Sequence, residues 1–166
     1  LKQDAAIHMA AEFIEHDFVA DSRLFPIPAV CDPVGPDKEI PFKGNTVVAR
    51  PYSAGKMIRA VSDIRKMGFR KGLNFYEGDY YPDLDLIVIK NGIHHSAVAS
   101  VLDKNGEGAA MCKVYQLSDA YANLSVSENF SQWVFQEGMP IPVIEPRFAL
   151  MYMIAKELQL QDGQME

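Results

Sequence analysis

The chain has only two cysteines and one tryptophan in 166 residues, and its net charge of −6 leaves no overall excess of positive charge. Cys31 and Cys112 can close at most one bridge, which excludes a small scaffold held together by several disulfides. A chain of this length buries enough apolar surface to fold without a bridge, so two free, largely buried thiols are expected. No apolar run approaches the roughly 20 residues that a membrane helix needs, and no charged leader precedes a hydrophobic segment and cleavage site. The expectation is a cytoplasmic protein with no membrane partner. The acidic balance opposes attraction of the whole surface to nucleic acid or anionic lipid. No nucleophile elbow surrounds Ser96, so a serine triad is not indicated.

What is present is ordinary globular material: 48% hydrophobic and 23% charged residues, enough to exclude disorder and to predict one domain over residues 1–166. The expected fold is α/β or α+β, with a small mixed sheet flanked by helices. Residues 5–19 have the spacing of an amphipathic surface helix. Prolines at 26, 28, 33, 36 and 41 make the following stretch an extended or turning cover, so that residues 1–45 wrap a core running from about 46 to 117. Ser53 is placed to cap a helix with Met57, Ile58, Val61 and Ile64 at helical spacing, and Gly68 to stop it. Residues 74–83, rich in tyrosine and acids, read as a loop or an edge hairpin. Leu84 to Ile89 reads as an interior strand, and Ala109 to Leu117 as a second strand. Residues 129–135 are aromatic without a clear period, and Pro140 and Pro142 mark a connector. Pro146 opens a helix to about Leu160 with so little polar surface that it should be largely buried.

Charge is unevenly spread. Arg50, Lys56, Arg59, Arg65, Lys66, Arg70 and Lys71 stand against the single acid Asp63, a local basic patch on an acidic body. A solvated helix face is the plainer reading of these cations. If the helix borders a ligand pocket, they complete an electropositive cleft.

The stretch with most chemical content is Asn91-Gly92-Ile93-His94-His95-Ser96-Ala97, where the interior strand gives way to a helix rich in small residues. Glycine lets the backbone pass close to a ligand, and the first amides of a helix attract anions. His94 and His95 add hydrogen bonds, or positive charge when protonated. Asn-Gly is also a strong hairpin signal, so a plain tight turn explains the same letters. Three weaker groupings accompany it. His8, Glu12 and His16 share a helix face with metal-ligand spacing, as any exposed helix can, and no metal site is assigned. Asp79, Asp83 and Asp85 are paired carboxylates or a magnesium site in one reading and a solvated loop in the other. Trp133 with Phe130 and Phe135 is a recognition platform or, better, a core cluster.

The helix ending Ile64-Arg-Lys-Met-Gly-Phe69, the strand Leu86 to Lys90 and the box from Asn91 to Ala99 together resemble the ParB/sulfiredoxin-like superfamily. Members commonly show a strand, an acidic or amide residue, Gly, one residue, His, Arg and then alanines. The resemblance covers roughly Thr46 to Leu117 and looks nearest to uncharacterised bacterial members with an Asn-Gly-x-His-Ser box. It implies a nucleotide phosphate cradle, used for CTP in partition proteins and ATP in sulfiredoxins. Gly92 and His94 match the box, while Asn91 replaces the usual acid and His95 stands where arginine is usual. Arginine makes a permanent forked contact with phosphate, whereas histidine is mostly neutral at pH 7 and offers one donor at a time. There is no sulfiredoxin-type cysteine in the box, and no helix-turn-helix follows it.

The resulting expectation is a protein binding a small phosphate-bearing ligand, with a nucleoside triphosphate and magnesium as the implied cofactor. Asn91, Gly92, His94, His95, Ser96, Arg50 and Arg59 form its site. The rival readings are a phosphoryl-transfer enzyme or nuclease using Asp83 or Asp85 as metal ligand, and a non-catalytic interaction protein that self-associates.

Overall fold

The computed structural model describes residues 24–69, 76–102 and 106–162. Among the described residues the fold is α+β with a mixed sheet and three helices. The described residues fall into two compact units, one comprising 37–80 and 85–113 and the other 24–36, 81–84 and 114–162.

The first unit is built on a five-stranded sheet of order β1-β5-β3-β4-β2. Its strands are β1 (Lys38–Pro41), β2 (Thr46–Val48), β3 (Glu77–Tyr81), β4 (Leu86–Asn91) and β5 (Ala109–Val114). Helix α1 (Ala54–Met67) follows β2, and α2 (Ile93–Leu102) follows β4. β2 runs parallel to β4 with Val48 opposite Val88, whereas β1 runs antiparallel to β5. In β4, Leu86 to Ile89 are all buried, as expected of a strand covered on both faces. β5 alternates as expected, with Cys112 and Val114 inside and Met111 and Lys113 outside.

The caps of α1 lie where the sequence places them. The Ser53 hydroxyl accepts the Lys56 amide at 3.4 Å, and Gly68, at φ 70°, donates its own amide to Ile64. Ala60 and Ile64, four residues apart, turn its buried face toward α2 and the sheet.

Glu77–Tyr81 is the central strand of the sheet, not a loop or edge hairpin. Its acidic, glycine-containing composition hides this. Gly78 sits so close to β4 that a Cβ would lie 2.6 Å from the Val88 carbonyl oxygen. Asp79 is 2% exposed and ion-paired with Lys90 of β4, so the strand carries its carboxylate inward with a partner.

The second unit holds a three-stranded antiparallel sheet, β6 (Leu124–Val126), β7 (Gln132–Phe135) and β8 (Ile141–Pro142), with helix α3 (Pro146–Asp162). The aromatic segment and the Pro140–Pro142 connector therefore form a second sheet. Phe25 is at its centre, 4.7 Å from Tyr81 and 5.5–6.2 Å from Phe148, Trp133 and Tyr152. Leu24, Phe25 and Ile27 are core residues, so this part of the proline-rich stretch is interior and not a cover. The prolines hold it in a short 3-10 turn at Ile27–Ala29 and an edge strand, β1, where a missing amide costs least. Helix α3 starts at Pro146 but is only half-covered. Phe148, Ala149 and Tyr152 are buried, while Leu150, Ile154 and Leu158 are 49–57% exposed. Two apolar stripes on opposite faces of one helix look identical in sequence to a fully buried helix. Both cysteines are free, Cys112 buried and Cys31 half-buried.

Candidate functional site

Because β2 and β4 are parallel, their carboxyl ends leave the sheet at one edge, and a helix follows each of them. Such an edge collects helix N-termini and the side chains of the strand-to-helix loops. The first loop carries Arg50, Pro51, Tyr52 and the cap Ser53; the second is Gly92 alone, after Asn91 at the end of β4. The loops meet where the Tyr52 ring and the His94 ring pack edge to face, centroids 4.6 Å apart.

Gly92 is required twice over. Its φ is 74°, a left-handed conformation, and an added Cβ would overlap the Tyr76 ring. The space freed by the missing side chain is therefore filled by Tyr76. The Gly92 amide is taken by the Asn91 side-chain oxygen at 2.8 Å. The first intrahelical bond of α2 runs from the Ser96 amide to the Gly92 carbonyl, so the amides of Ile93, His94 and His95 precede the ladder and point out of the helix start. Any anion cradle thus lies on these three amides, one step beyond Gly92.

The two histidines have different surroundings. His94 is 8% exposed, and its Nε2 is enclosed with no hydrogen-bond partner among the described residues. Burial, then the charge of Lys56 and then His95, hold its pKa below the ordinary histidine value, so it is neutral at pH 7. His95 turns to α1, where its Nε2 lies 3.4 Å from the Asp63 carboxylate. The single acid of the basic segment is thus paired with a histidine of α2. Ser96 is fully buried, and its hydroxyl also lacks a partner among the described residues.

Two cations border the edge. Arg50, half-buried in the loop after β2, has an enclosed Nη1 without a partner among the described residues. Lys56 donates to the Tyr52 hydroxyl at 2.8 Å and lies 4.8 Å from the centre of that ring. Arg59 is exposed on α1, with no ion pair to the box among the described residues. Tyr52 was not marked by sequence reasoning. Its position just before the helix cap Ser53 was the available signal.

The remaining groupings do not converge. Asp79 pairs with Lys90, the Asp83 carboxylate accepts the Leu117 amide at 2.9 Å, and the charge of Asp85 acts on the Tyr80 hydroxyl. Burial first, and Asp85 second, raise the Tyr80 pKa. Among the described residues no cluster of three or more His, Cys, Asp or Glu can hold a metal ion. His8, Glu12 and His16 lie outside the described residues. Trp133 is wholly buried in the second unit and presents no platform. No helix among the described residues is long and apolar enough to cross a membrane. No family model, curated protein or solved structure matches the chain.

Proposed function

We propose that the chain is a ParB-like protein that binds a nucleotide or another phosphate-bearing ligand at the carboxyl edge of β2 and β4. The observation that carries this reading is the buried His94 Nε2, unpartnered among the described residues and placed in the first turn of α2, where three amides lack intrahelical acceptors. A buried polar atom without a partner is costly, and an oxyanion would satisfy it together with those amides. Arg50, whose Nη1 is similarly enclosed, and Lys56 supply the compensating charge. Protonation of His94 on binding would add a further donor. His95, held by Asp63, acts here as a tether between α1 and α2 and not as a substitute for the family arginine. Magnesium, where it accompanies the ligand, would be held chiefly by phosphate oxygens, as is usual for this ion.

The test is thermal unfolding with inorganic triphosphate and with nucleoside triphosphates, each with and without magnesium. At a hundredfold excess over Kd a ligand stabilises by about 2.7 kcal/mol, or about 5–10 °C for a chain of this size. His94→Ala should remove the shift. The absence of a shift with every triphosphate would overturn the proposal.

A further inference from the structure

We infer that the chain forms a homodimer through the outer face of α3, with the two helices antiparallel about a twofold axis near Ile154. The inference concerns the second unit and is independent of any ligand at the carboxyl edge of β2 and β4. Leu150, Ile154 and Leu158 are 49%, 50% and 57% exposed. Four residues apart, they stand one turn above another and run about 12 Å along one side of the helix, opposite Phe148, Ala149 and Tyr152, which α3 buries. Met151 borders the row and is half-buried. Scattered exposed leucines are ordinary on a protein surface, whereas a contiguous row on a helix whose other side already meets its core marks an interface.

The spacing of the row is self-complementary. A twofold interface sets one patch against its own copy, so that if residue i meets j then j meets i. Leu150 and Leu158 are each four residues from Ile154, and an antiparallel copy therefore brings Leu150 onto the partner's Leu158 and Ile154 onto the partner's Ile154. Arg147 and Gln161, both exposed, close the row at its two ends as a polar rim.

Charge sets the direction. Arg147 stands seven residues before Ile154 and Glu157 three after it, on the same outer side of α3. A parallel pair would set Arg147 against the partner's Arg147 and Glu157 against the partner's Glu157. The antiparallel pair instead brings each Arg147 to the end that holds the partner's Glu157, with an axial offset of about 6 Å that two long side chains can span. Arg147 bonds Glu145 of its own chain while remaining 80% exposed, and Glu157 has no ion pair among the described residues, so both are open to the partner. One helix face per chain is at the small end of specific interfaces, which sets dissociation in the micromolar range.

Sedimentation equilibrium of the whole chain from nanomolar to high micromolar concentration tests this. Wild type should pass from monomer to dimer mass. Ile154→Glu, which sets two like charges on the axis, should weaken association roughly a hundredfold or more. Arg147→Glu alone and Glu157→Arg alone each put like charges together and should weaken it about fivefold, whereas an equal mixture of these two variants restores opposite charges at both ends and should associate as tightly as wild type. A monomer mass for wild type at every concentration would overturn the dimer. Association unchanged in Ile154→Glu would overturn its assignment to α3, and a mixture no tighter than either charge variant would overturn the antiparallel arrangement. Circular dichroism of Ile154→Glu equal to that of wild type, both at concentrations where wild type is monomeric, separates loss of the interface from loss of the fold. The charge variants change only exposed side chains and test the interface even where Ile154→Glu lowers stability.

Discussion

The β2–α1 loop and the β4–α2 loop start from parallel strands at one edge of the sheet and end in helix N-termini, yet they finish those helices differently. The first takes five residues, 49–53, and ends in Ser53, whose hydroxyl satisfies an amide of its own helix. The second takes the single residue Gly92, which has no side chain to turn back, and Asn91 caps only the Gly92 amide. A helix closed by its own serine has less to offer an anion than one that opens on glycine. Of two similar helix starts side by side, only the second is left to be completed from outside.

That contrast can be broken in order of size. Gly92→Val adds a side chain both at a left-handed φ and against the Tyr76 ring, and should destabilise the fold by about 3 kcal/mol. A urea midpoint close to wild type would show that neither constraint is real. Arg50→Gln should remove more than half of the stabilisation by triphosphate, read as a melting shift, because an enclosed guanidinium contributes charge that glutamine cannot. An undiminished shift would separate Arg50 from the site. Ser53→Ala should cost about 1 kcal/mol of stability while leaving the triphosphate shift intact, since it opens the wrong helix. Loss of the shift in that variant would mean that both starts serve the ligand.

The smallest effect is on pH. Since His94 in the fold binds its proton less readily than in the unfolded chain, the unfolded state takes up more protons as pH falls. Stability contributed by neutral His94 is complete above the ordinary histidine value of about 6.5 and declines below it. Between pH 7 and pH 5 the urea midpoint of wild type should fall further than that of His94→Gln; equal falls would remove His94 as the cause.

The parts legible in sequence were those governed by local rules. Ser53 and Gly68 bracket α1 because caps depend on one residue and its own backbone, and Leu86 to Ile89 could only be interior because no polar residue interrupts them. The central position of β3 was hidden because it depends on a partner in another strand: Asp79 reads as solvent-facing until Lys90 of β4 is seen beside it. The same holds for the site. Gly92 and His94 were visible as a motif, but the attachment of His95 to Asp63 and the meeting of Tyr52 with His94 are contacts between helices or loops that no spacing reveals. The two apolar stripes of α3 failed for another reason, since composition counts leucines without saying which face meets a neighbour.

The burial of Trp133 has a practical consequence. It is the only tryptophan in the chain, it is 0% exposed, and Phe25 and Tyr152 surround it in the core of the second unit. Its emission should be blue-shifted and resistant to acrylamide, and it will report the opening of that core alone. Far-UV circular dichroism weighs the helices and strands of both units. A denaturant curve followed by both signals therefore tells whether the chain melts as one cooperative body: coincident curves mean a single transition, and an early or late fluorescence change means two.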